Sequence, residues 1–257
     1  MQQTVYQQDG SLDLPETQQL SINAPFKWLT AGWRDYRRTA LYSSFYGLVF
    51  VLIGYAVTAV SWQSPILVLT FITGFLLVAP FLALGLYDLS RQAEQSQKVS
   101  FIHSLLAFNK NKRDMGLLVV FHALVMIAWI RLATIIGALY FGNSSASVTV
   151  LFEQLWLSGE GIGIVALFAL SGAALAAVVF VSSAVSWPMM LDRNKGVINA
   201  MATSIKAVMQ NKLVMLIWAL IISVFFIVGL ATFYIGLVFI IPILGHATWH
   251  AYKELVV

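Results

Sequence analysis

Six long apolar stretches recur along the chain, over about 41–60, 66–87, 115–141, 162–187, 213–233 and 236–252. At about 1.5 Å of rise per residue, each comes near or above the thickness of a hydrocarbon core, which predicts an all-α bundle of about six membrane spans. A lipid-facing barrel would instead show alternating segments of about ten residues. Between the stretches the pattern turns amphipathic. Residues 23–40 set Phe26, Leu29, Trp33 and Tyr36 at helical spacing among Lys27, Arg34, Arg37 and Arg38, predicting a helix that lies at headgroup level. Val99, Ile102, Leu105 and Leu106 mark a surface helix within 90–113, and 194–211 reads as a second such link. Val148, Leu151, Phe152, Leu155 and Trp156 predict a short flat helix on the opposite surface. Residues 1–22 are polar and read as a flexible tail.

Small residues and prolines refine this picture. Gly47 and Gly54, seven apart on the first span, invite another helix to approach closely. Ala169, Ala173 and Ala177 line one edge of the fourth span, which is therefore expected to be the packing centre. Pro80 lies near the end of the second span, and Pro188 is expected to end the fourth. Pro242 interrupts the sixth, where the carbonyl it leaves without a donor must be met by a neighbouring helix.

Composition agrees with the pattern: 60% of residues are hydrophobic, 10% are charged, and the mean hydropathy is +0.83. The chain reads as a polytopic membrane protein. All of its 15 Lys and Arg except Arg131 fall on one side of a six-span topology, and the positive-inside rule places both termini in the cytoplasm. No basic soluble face exists for nucleic acid. Cysteine is absent, which removes disulfides and thiolate chemistry. The first twenty residues lack both Lys or Arg and an apolar core, so no cleavable signal is expected there.

A weak repeat runs through the links. Ser104, Ala107, Asn111 and Lys112 recur as Ser204, Ala207, Asn211 and Lys212, one hundred residues on. Both links lie on the same side, so the units would be related by an axis along the membrane normal. The segments PFKWLTAGWRD, SWPMMLDR, N-A-M-x-x-S-x-x-A-x-x-x-N and PILGHATWHAY, spread over nearly all of 23–255, resemble a family of uncharacterised proteobacterial integral membrane proteins. Members are sometimes labelled cytochrome c oxidase subunit I. The resemblance implies a bacterial inner-membrane location and no established activity. A haem–copper centre needs two haem-ligand sets and a copper site, more histidines than the four present here.

Among candidate chemical groups, His246 and His250 stand four apart on one helical face with the spacing of metal or haem ligands. His122 is a candidate third ligand. The alternative is that these histidines cross-link helices by hydrogen bonds. His103, on a surface link, reads as solvated. Arg131, inside the third span, reads either as an anion or lipid-headgroup contact or as an ion-pair partner of Glu153 or Glu160. Asp88 and Asp192 follow the proline-bearing spans and are expected to pair locally with Arg91, Arg193 or the neighbouring links. Gly159-x-Gly161-x-Gly163 follows no strand and is no dinucleotide fingerprint, and no G-x-S-x-G, H-E-x-x-H or P-loop occurs. The leading expectation is a non-enzymatic accessory or scaffold protein that packs against another membrane protein or a second copy, respiratory complexes among the candidates. A carrier or binding protein for a small anion or lipid, and a haem or metal binder through the histidine pair, are the alternatives.

Overall fold

The computed structural model describes residues 14–61, 70–71, 79–95, 98–141 and 161–257. Its helices, in chain order, are α1 (Ala24–Ser61), α2 (Leu84–Glu94), α3 (Phe101–Leu105), a 3-10 turn (Ala107–Asn111), α4 (Lys112–Phe141), α5 (Gly161–Ser183), α6 (Ser186–Arg193), α7 (Val197–Gln210), α8 (Lys212–Ala231) and α9 (Leu237–Leu255). Among the described residues, Ala24–Val60, Ala107–Leu139, Ile162–Arg193 and Lys212–Ala231 are long and apolar enough to cross a membrane. Most of the expected second span, the flat helix at 148–156, and Glu153 and Glu160 lie outside the described residues.

α1 accepts Pro25 in its first turn, where no intrahelical amide is needed. Thr39 departs from helical geometry (φ −122°, ψ 22°) and separates the polar N-terminal arm from the apolar span, one residue from the boundary the amphipathic pattern gives. The arm's buried stripe is Trp28, Gly32, Asp35, Tyr36 and Thr39, while Phe26 and Trp33 are exposed beside Lys27, Arg34, Arg37 and Arg38. Trp33 stacks on Tyr36, and Arg37 lies over its ring at 6.0 Å.

The centre of the fold is the antiparallel pair α1 and α9. A Cβ on Gly32 would stand 2.6 Å from the Ile243 carbonyl oxygen, and one on Gly47 would stand 2.4 Å from that of Val238. Only hydrogen at these two positions lets the backbones meet. Gly54 receives the ring of Tyr234 in the same way. Tyr234 and Phe233 carry positive φ (66° and 53°) in the α8–α9 turn. The turn is held by the Thr58 and Tyr234 hydroxyls, 2.7 Å apart, and by Tyr55, which donates to the Phe233 carbonyl.

Four expectations are corrected. The fourth span is not the packing centre: Ala169, Ala173 and Ala177 are exposed, as are Ile162, Val165, Leu167, Leu170 and Val178 of α5. An alanine edge offers little apolar area, and the core instead gathers Trp28, Phe50, Trp187, Trp218, Trp249 and Tyr252. Pro188 does not end that span either. The helix breaks earlier, at Ala184 and Val185, and Pro188 sits in the first turn of α6, where its missing amide costs nothing. The link at 90–113 is not one helix. The Gln92 side chain binds both the amide and the carbonyl of Ser100 (2.7 and 3.3 Å), folding the chain back after α2, and Ser100 then caps α3. The second half of the expected tail is tied down: Thr17 and Val256 form an antiparallel bridge, and Asn211 binds the amide of Leu20 and the carbonyl of Gln18.

Candidate functional site

Where the arm of α1 crosses α9 and α2, a chain of hydrogen bonds runs through the core. Asp35, Thr39 and Ser43 come from the inner stripe of α1, Ser90 from α2, and His246 and His250 from successive turns of α9. His246 is completely buried. Its Nδ1 lies 2.7 Å from Ser90 Oγ, and its Nε2 lies 2.9 Å from Ser43 Oγ and 3.5 Å from Thr39 Oγ1. Ser90 Oγ donates to Asp35 Oδ2 at 2.9 Å, and His250 Nε2 reaches the same oxygen at 2.8 Å.

Proton counting fixes the directions. The single Ser90 proton goes to the carboxylate, so Ser90 must accept from His246 Nδ1–H. In the neutral imidazole Nε2 is then the lone-pair nitrogen and accepts from Ser43. Both ring nitrogens of His246 are engaged. His250 is 20% exposed at its side chain and forms the outer end of the chain, beside a 6% exposed Asp35. The arrangement orients an imidazole and a carboxylate rigidly and joins three helices through side chains.

The two histidines of the PILGHATWHAY segment thus converge on one carboxylate by different routes. His122 does not join them. Its Nδ1 donates to the Leu118 carbonyl (2.7 Å), and its ring lies 5.6 Å from Trp187 in a separate aromatic cluster with Phe121. Among the described residues no group of three or more His, Asp or Glu side chains is placed to hold a metal ion. Arg131 is exposed on α4 and makes no ion pair within the described residues, its expected partners lying outside them.

Asp88 and Asp192 hold the links. Asp88 is fully buried and accepts from Arg91 (2.7 Å) as expected, but also from Gln92 and His103 (2.6 Å each), with Lys110 at 3.6 Å. His103, expected to be solvated, is therefore a carboxylate partner. Asp192 pairs not with Arg193 but with Tyr252 (2.8 Å) and Lys253 (3.3 Å) of α9. Arg193 is drawn past it to the Tyr252 hydroxyl and the carbonyls of Val256 and Val257, because the chain end supplies acceptors that point at its guanidinium.

Asp35, Ser43 and Ser90 are site residues that the sequence pattern did not single out. The signal was present: Trp28, Gly32, Asp35 and Thr39 follow one another at intervals of four, three and four. That is a single helical stripe, and it puts the only acid of the arm away from the cations.

Residues 67–192 match the family described as "Predicted integral membrane protein (DUF2189)". No curated protein and no solved structure matches the chain.

Proposed function

We propose that this multi-pass integral membrane protein is a non-enzymatic component of the bacterial inner membrane, with six spans and both termini cytoplasmic, that works by packing against another membrane protein. The observation that carries the reading is the exposed edge of α5, where Ala169, Ala173 and Ala177 stand four apart with no helix of the described residues against them. In lipid, helices associate where small residues let backbones approach, since hydrocarbon itself supplies no hydrophobic drive. The site supports the same reading, because the carboxylate and both nitrogens of His246 are already bonded within the protein.

The duplicated link also gains support. Ser104 and Ser204, Ala107 and Ala207, and Asn111 and Asn211 are all buried. Asn111 donates to the Lys195 carbonyl (3.1 Å) and Asn211 to that of Gln18 (3.0 Å), each at the start of a long apolar helix.

The test is purification from native membranes in mild detergent, with Ala173→Leu/Ala177→Leu as the comparison. The parent should emerge with a second membrane protein or a second copy. The double variant should emerge alone with an unchanged unfolding temperature, because both positions are exposed. A parent that elutes as a lone monomer at native expression levels would remove the proposal.

A further inference from the structure

Beside Tyr87 an apolar cavity of about 210 Å³ opens among α1, α2, α5, α8 and α9, walled by Phe50, Phe180, Phe226, Ile241 and Leu244. Along α8 it runs from Trp218 to Phe226, roughly 12 Å of helix. Three serine and threonine hydroxyls line it, but each is occupied. Ser183, Ser223 and Thr248 donate to the carbonyls of Val179, Ala219 and Leu244, four residues back in their own helices.

Tyr87 and Trp218 differ. Both line the cavity, both are at least nine-tenths buried (4% and 1% exposed), and neither the phenol nor the indole N–H has a hydrogen-bond partner among the described residues. Leaving such a donor unpaired against an apolar cavity costs free energy. A ligand that supplies an acceptor would recover that cost.

Position selects the ligand class. Ala176 of α5 and Ser223 of α8 line the cavity and are also exposed, so the mouth opens sideways between two helices that are long and apolar enough to span a membrane. What surrounds such a mouth is hydrocarbon rather than water. Tyr87 immediately precedes Asp88, whose partners Arg91, His103 and Lys110 mark the polar end of the bundle. Trp218 lies closer than Phe226 to Lys212, the polar start of α8. The two donors therefore stand at the polar end, and the hydrocarbon walls extend away from them.

We propose that this cavity is a lipid-binding site: it takes a hydrocarbon chain entering from the bilayer between α5 and α8, with a carbonyl oxygen of that lipid accepting from the Tyr87 hydroxyl. Ester-linked phospholipid chains and free fatty acids share this chemistry.

Photocrosslinking distinguishes them. The full chain is reconstituted in phosphatidylcholine vesicles doped with either a phosphatidylethanolamine or a free fatty acid that carries a diazirine in its tail, and adducts are mapped by peptide mass spectrometry. Adducts on Phe180, Ile222 and Phe226 are expected from one or both probes, and the probe that gives them names the source. Ala176→Trp and Ala219→Trp, placed at the mouth, should reduce these adducts at least tenfold and leave those on the exposed Leu216 and Leu220 unchanged. Tyr87→Phe, which keeps the ring, should lower wall labelling several-fold and carries the test if either tryptophan variant fails to fold. Adducts confined to Leu216, Leu220 and other outward side chains, wall adducts indifferent to the mouth variants, or wall labelling unchanged in Tyr87→Phe would overturn the proposal.

Discussion

His246 illustrates how a single residue can be read halfway from sequence. Its relation to His250 followed from a spacing of four, and hydrogen bonding between helices was one of two readings of the pair. The identity of the partners was not legible, because Asp35 is embedded in an arm whose other charges are all basic and Ser90 lies in a segment that read as surface. Only the three-dimensional crossing of α1, α2 and α9 brings the carboxylate and the hydroxyls to the imidazole. Replacing His246 by Phe fills the space but leaves the Ser43 hydroxyl without its acceptor and removes the donor to Ser90. A loss of roughly 1–3 kcal/mol in unfolding free energy is expected. Combined with Ser90→Ala, the two changes should fall short of additivity by about 0.5 kcal/mol or more. Reversible denaturant unfolding in micelles measures both, and strictly additive effects would mean that the two side chains are not coupled. The same preparations serve the metal or haem alternative: parent protein that carries stoichiometric metal or a haem absorption band, lost in His246→Phe, would reassign the pair as ligands.

At the scale of helices, a glycine and a proline that the sequence offered as separate features meet in the fold. Pro242 cannot donate to the Val238 carbonyl, and it is that carbonyl oxygen which Gly47 of α1 approaches, with hydrogen where a Cβ would stand 2.4 Å away. One irregular helix thus meets its neighbour where both lack something, an amide proton on one side and a side chain on the other. Gly47→Ala should destabilise the protein by about 1–3 kcal/mol, the usual cost of overpacking, because the obstacle is backbone that cannot rotate aside. Gly116→Ala is the control, since a Cβ there meets nothing within 4 Å. Unfolding midpoints of the two variants that matched would refute close backbone contact at Gly47. Pro188 was misread for a related reason: a proline marks either the end of a helix or the first turn of the next, and sequence alone does not say which. The bridge between Thr17 and Val256 was invisible because it is made by backbone groups, which leave no trace in side-chain pattern.

The whole molecule is closed on itself at one end. Residues 16–20 bond to Glu254, Leu255 and Val257 and to Asn211 at the head of α8, so this segment shares a surface with the end of α9. The α8–α9 turn at Thr232–Gly236 sits at the opposite end of α8 and α9. Which surface faces the cytoplasm is a question of charge, and the cations cluster on the side of residues 16–20: Arg91, Lys110, Lys206, Arg193 and Lys253 all bond acceptors there. Arg131 alone lies far along a span, about 28 Å of helix from Lys112. Moving the basic end outward would oppose the bias that sets orientation. Because the chain contains no cysteine, introduced thiols report position without background. Val257→Cys and Ile235→Cys are both exposed sites at opposite ends. In intact cells a membrane-impermeant maleimide should label Ile235→Cys and spare Val257→Cys, and permeabilisation should make both react. The reverse pattern would invert the topology while leaving the contact of residues 16–20 with the end of α9 intact. Labelling of both sites in intact cells would contradict the two-sided arrangement itself.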